Sequence, residues 1–191
     1  MAESLYDLWS KKNPDFETRF EPILRQYCDY GKGYNEYTES KAKILGAGYE
    51  LYIIAFFIGL YADITKPLNS DPVKRKGFGQ PIMYWGNIEQ RGGRHPYGRI
   101  REYIFAALIA RTDIDLIALD KGDITARSVV DALMDKMEQY ANFGFDFMQE
   151  KLEEDPNYFF KETAFLRVFT SFLNENKEET DEDDDVPESL D

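Results

Sequence analysis

The sequence predicts an all-α fold, a single-domain, irregular helical bundle of five to seven helices with a long Pro/Gly-rich loop and a disordered acidic C-terminal tail. Three observations carry that expectation. Apolar residues recur at helical spacing through most of the chain. Between 65 and 90, Pro67, Pro72, Pro81, Gly77, Gly79 and Gly86 forbid a long helix. Residues 175–191 hold ten acidic side chains against Lys177 alone, a run of like charge that cannot pack. The helical domain is therefore assigned to residues 1–175 and the tail to 176–191.

In chain order, Leu5, Leu8 and Trp9 predict a short amphipathic helix near 4–12, closed before Pro14. Phe20, Ile23, Leu24 and Tyr27 suit one face of a helix over 16–30, with Pro22 in its first turn. Gly31 and Gly33 mark a turn. Residues 37–63 read as one or two helices broken near Gly46 and Gly48. The apolar run 51–62 is twelve residues long, a length typical of a buried core helix, whereas a bilayer span needs about 20. No membrane role is expected.

The stretch 65–90 reads as a structured, surface-lying excursion, and a connection of that length is often functional. From Tyr103 to Ala110 no polar residue interrupts, so most faces of that helix should be covered. Thr112 and Asp113 look like a cap, and 114–119 a short buried helix or strand. Gly122 to Thr125 turns the chain. A helical stripe then runs from 126 to about 154 through Val129, Leu133, Met137, Tyr140 and Met148, with a bend expected at Gly144. Asn157 is a natural N-cap. Phe165, Val168, Phe169, Phe172 and Leu173 share a face of the last helix. Phe145 and Phe160 fall off these stripes, which predicts an exposed apolar patch for self-association or a partner.

Composition narrows the function. The single cysteine, Cys28, permits no internal disulfide and suits a reducing, cytoplasmic setting. The N-terminus lacks the basic and apolar regions of a secretory signal. With one His and one Cys, a Cys/His zinc site has no ligand set, and no metal or cofactor is expected. The glycine pairs 31/33, 46/48 and 77/79 lack the third glycine of a dinucleotide fingerprint, and no phosphate-binding P-loop motif occurs.

Net charge is −13, yet residues 66–111 carry nine basic and three acidic side chains. Overall sign argues against a general nucleic-acid coat but leaves room for one cationic site. Lys74, Arg75 and Lys76 form one group; Arg91, Arg94, His95, Arg99 and Arg101 form another, leading into an apolar helix. Cations at a helix N-terminus oppose its dipole, at a few tenths to ~1 kcal/mol each, unless an anion is bound there. Arginine forks interleaved with Phe78, Tyr84, Trp85 and Tyr97 are what phosphate contact and base stacking require. Gly92 and Gly93 would let the backbone approach closely. The bland counterpart is a solvated loop whose arginines pair with the fold's own carboxylates. The acidic tail could also occupy the basic site as a tethered anion mimic.

One acidic segment competes. Asp113, Asp115, Asp120 and Asp123, with Lys121, are similar to the acidic strand of restriction-type nucleases, where paired carboxylates hold a metal beside a lysine. The Glu-x-Lys half of that pattern occurs only at Glu39/Lys41 and Glu175/Lys177, neither in an apolar, β-branched strand. A short helix with capping aspartates ranks above it. The expectation is a non-enzymatic binding or adaptor protein that contacts a nucleic-acid backbone or an acidic protein segment, as an accessory component of a nucleic-acid-handling assembly. The alternatives are a metal-dependent hydrolase on those aspartates and a purely structural, oligomerising protein.

Overall fold

The computed structural model describes residues 3–28, 45–87 and 95–183, with 175–183 described by backbone alone. Gly31, Gly33 and the start of the 37–63 expectation lie outside these residues. Among the described residues the protein is mostly helical, with seven α-helices. They are α1 (Leu5–Ser10), α2 (Glu21–Tyr27), α3 (Gly48–Ala62), α4 (Ile100–Arg111), α5 (Leu116–Lys121), α6 (Ala126–Glu154) and α7 (Ala164–Asp183).

Helix α3 is apolar on every side, and Leu51, Tyr52, Ala55, Phe56 and Ile58 are fully buried. It runs antiparallel to α6, with Gly59 against the Tyr140 backbone and Gly144 against the Ala55 backbone. A Cβ on either glycine would overlap the facing carbonyl oxygen, so the two helices approach closer than side chains normally permit. Gly144 does not interrupt α6, which runs unbroken for 29 residues. It supplies a contact surface. Phe145, expected to be exposed, is fully buried one residue on and stacks on Phe20 at 5.1 Å.

The expected helix over 16–30 begins later. Its first residues form strand β1 (Asp15–Glu17), antiparallel to β2 (Arg75–Gly77), with Phe16 opposite Lys76. Pairing gives both backbones their hydrogen bonds, and Pro22 then opens α2. The small sheet is a departure from a strictly all-α fold.

The Pro/Gly-rich excursion is less superficial than expected. Phe78, Ile82 and Trp85 enter the core, and Trp85 stacks on Tyr49 at 5.8 Å while donating to the Gln80 carbonyl at 3.1 Å. Gly86 is left-handed (φ 77°) and lies against Tyr97, where a Cβ would come within 2.9 Å of its carbonyl carbon. Only glycine meets both demands.

Helix α4 is buried along one line only, Ile104 and Leu108, whereas Tyr103 is 59% exposed. The expected covering of most faces is absent because α4 lies over α6 and beside Tyr6 and Trp9, with nothing described on its far side. The segment 114–119 does form a helix, capped by Asp115, but Leu116 and Ile117 are exposed. Asn157 heads a 3-10 turn without a side-chain cap, and α7 starts at Ala164. Phe160 is exposed, as expected, although its ring contacts Tyr27. The α7 backbone stays helical to Asp183, past the expected start of the tail.

Candidate functional site

The structure puts the predicted cations into different states. The turn Pro72–Lys74 is capped by Asp71, whose carboxylate accepts the Val73 N–H at 3.0 Å, and β2 follows at once. Strand pairing then fixes where each side chain goes. Lys76 donates to Glu21 at 2.9 Å, and Glu21 also accepts from Arg25 at 2.8 Å. Those two bonds hold the Glu21 carboxyl below its ordinary value. Arg75 is partly buried, and its Nε finds no hydrogen-bond partner among the described residues. Lys74 is exposed, and among the described residues its ammonium meets no carboxylate.

In the second group, Arg91 and Arg94, with Gly92 and Gly93, lie outside the described residues. His95 is exposed. Arg99 has an 82% exposed side chain and a loose 3.9 Å approach to Glu102. Arg101 is engaged within the fold. Its Nε donates to the Gly98 carbonyl at 2.9 Å and its Nη1 to the Met83 carbonyl. Tyr97 donates to buried Glu50 at 2.8 Å, and burial together with that carboxylate pushes its phenol well above the ordinary value.

Of the four aromatics proposed to interleave with the cations, Phe78 and Trp85 are core residues and Tyr97 is committed to Glu50. Tyr84 remains half exposed. Lys74 precedes β2, which pairs with β1, and Arg101 bonds to Met83 further along the same excursion.

An open pocket of about 450 Å³, with several charged side chains in its lining, lies beside Lys74. It is lined by Glu17, Thr18, Arg19, Lys66, Pro67, Asn69 and Lys74, and of these only Lys74 belongs to the cationic groups that the sequence marks as candidates. Glu17 is buried at the end of β1. One of its oxygens accepts the Asn69 N–H at 2.9 Å and the Asn142 side-chain amide at 3.0 Å; the other accepts Arg19 Nε at 2.6 Å. Burial pushes the Glu17 carboxyl up, and these bonds more than offset it, leaving it below the ordinary value. Asp146 behaves alike, through Arg19 and Lys66. The Arg19 guanidinium rests on the Phe20 ring, 4.1 Å from its centre.

Asn142 fixes this arrangement from α6. Its amide also donates to the Lys66 and Pro67 carbonyls, at 3.3 and 3.0 Å, while its own oxygen is buried without a partner among the described residues. A signal for it existed in the sequence. Asn142 is a polar residue at a core position, between Ala141 and Phe145, on an otherwise apolar stripe.

The aspartates of the hydrolase alternative are all exposed, and Asp115 is occupied as a helix cap, accepting the Ala118 N–H at 2.8 Å. Among the described residues no three His, Cys, Asp or Glu side chains are grouped to hold a metal, and no helix is long and apolar enough to cross a membrane. Comparison with known proteins gives no match, either to a family model, to a curated protein or to a solved structure.

Proposed function

We propose that this is a non-enzymatic binding or adaptor protein that engages an anionic partner, a nucleic-acid backbone or an acidic protein segment, through Lys74, His95 and Arg99. The observation that carries the reading is the contrast among the cations. Lys76 and Arg101 are engaged by the fold, whereas Lys74 is exposed and Arg99, with an 82% exposed side chain, makes only a loose 3.9 Å approach to Glu102. Exposed, unengaged lysine and arginine side chains are the groups that contact phosphates or carboxylates of a partner. Arg91 and Arg94 remain in the proposal as sequence neighbours of this surface.

Fluorescence anisotropy with a labelled oligonucleotide and a labelled acidic peptide tests it, at two salt concentrations. Arg99→Gln combined with Lys74→Gln is expected to weaken binding several-fold and to flatten its salt dependence. Unchanged binding in the double variant, or no binding by the parent chain or by a chain ending at Asn174, overturns the proposal. The shorter chain asks in addition whether the acidic tail competes for the surface.

Self-association is the second reading, and one observation favours it. Tyr103, Leu116, Ile117, Phe160, Leu166 and Leu173 are large apolar side chains left exposed. Sedimentation velocity at rising concentration should then show a reversible second species, and a constant monomeric value excludes it.

A further inference from the structure

The cavity beside Lys74 has a donor and acceptor balance that selects its ligand. All four oxygens of Glu17 and Asp146 are engaged, by Asn69, Asn142 and Arg19 on one side and by Arg19 and Lys66 on the other. Every carboxylate oxygen already accepts from a protein donor, which weakens its pull on a free cation. The donors are in surplus. Lys66 spends one N–H on Asp146, Lys74 spends none on a carboxylate, and Arg19 Nη2 has no protein acceptor among the described residues. Three cations against two carboxylates leave the cluster formally positive, inside a protein of net charge −13.

The geometry of Arg19 chooses among anions. A planar carboxylate binds guanidinium best through two parallel bonds to one edge. Here Glu17 occupies Nε and Asp146 occupies Nη1, so each two-pronged edge of Arg19 already holds a protein oxygen. Nη2 can still give single bonds. An anion with oxygens pointing in several directions can take Nη2 from one side and the point charges of Lys66 and Lys74 from others. That describes a tetrahedral phosphoryl group. Arg19 is held in place beforehand by the Phe20 ring and both carboxylates, which lowers the ordering cost of binding. A cavity of about 450 Å³ also has room for a substituent on the phosphorus.

We propose that the cavity formed by Arg19, Lys66, Asn69 and Lys74 is a binding site for a phosphoryl group. It deepens the anion-binding reading and rests on it only through Lys74. The phosphoryl group can come from a small phosphorylated ligand or from a nucleic-acid strand.

An NMR titration of the full chain, followed at the Thr18 and Asn69 amides, tests the site. The probes are inorganic phosphate, sodium acetate at matched ionic strength, and a single-stranded DNA oligonucleotide. Phosphate is expected to shift both amides in a saturable way, with acetate at least about tenfold weaker, and Lys74→Gln to weaken phosphate by about tenfold. Lys66→Gln is the second variant, because Asp146 keeps Arg19 and the fold should survive. Phosphate binding no tighter than acetate, or unaltered in both variants, overturns the proposal. If the oligonucleotide moves the same amides and phosphate competes with it, the source is a nucleic acid. If phosphate binds and the oligonucleotide does not, the site serves a small phosphorylated ligand and the nucleic-acid arm of the proposed function fails alone. An oligonucleotide that shifts only His95 and Arg99, with phosphate silent at the cavity, sinks the phosphoryl site and leaves the surface.

Discussion

Helices α3 and α4 both lie on α6, yet α3 is enclosed and α4 stands half in solvent. At Gly59 and Gly144 the α3 and α6 backbones meet directly, so the side chains around them interlock and leave little of α3 uncovered. Helix α4 has no such glycine contact. It rests on Ile104 and Leu108, with Phe105 against Tyr6 and Trp9, and turns Tyr103 outward. The lesson is that burial of a helix follows from what its neighbour allows, not from its own apolar content. A helix can be apolar for a core or apolar for a partner.

The largest expected effect breaks the α3–α6 seam. Gly144→Ala should destabilise the protein by about 3 kcal/mol or more, read from urea unfolding, because the new methyl must force two backbones apart. Helix propensity alone would favour alanine by about 1 kcal/mol, so a neutral or stabilising result would show that the helices are not in contact there.

A smaller effect comes from Glu138, the partly buried carboxylate on α6 that accepts the Asp15 N–H at 2.8 Å. Burial is the main cause that raises its carboxyl to about 7; the Asp15 N–H lowers it, Asp15 and Asp135 raise it further, and Arg75 lowers it. The folded protein therefore binds this proton more tightly than the unfolded chain. Its contribution is complete below about pH 4.5 and is lost as pH rises through 7. Glu138→Gln keeps the acceptor and removes the charge, so it should stabilise the protein by about 2 kcal/mol at pH 8 and by nothing below the unfolded value. Equal gains at pH 4 and pH 8 would refute the assignment.

The smallest effect sharpens the α4 side of the comparison. Tyr103→Ser should change unfolding free energy by no more than about 0.5 kcal/mol. If it costs more than 1.5 kcal/mol, α4 is covered after all. If stability holds while self-association disappears in sedimentation, the exposed face belongs to a partner copy.

How much of this was legible in advance differs by residue. Helical period is local, and it places helices at α1, α2, α3 and α6, although α2 begins at Glu21 and not at 16. The β1–β2 pair was not legible, because Asp15–Glu17 and Arg75–Gly77 are far apart in sequence and neither is a strong strand former alone. The cationic segment was visible as composition, but the commitment of Arg101 to Met83 and of Lys76 to Glu21 was not. The cavity was less legible still. Glu17, Arg19, Lys66, Asn69, Asn142 and Asp146 come from three separate stretches, and only Asn142, a polar residue on a core stripe, carries a local signal.

By itself the sequence determined that the protein is mostly helical, that residues 51–62 form a buried helix and that residues 66–111 hold an excess of positive charge. These follow from properties of neighbouring residues, which periodicity and composition record. Only the tertiary structure decided that Gly144 lies in the α3–α6 seam, that Trp85 is core, and that Lys74 shares a cavity with Arg19 and Lys66. Those outcomes depend on which distant surface arrives at a residue, and a carboxylate meeting an arginine from another element leaves no mark in the local pattern of either.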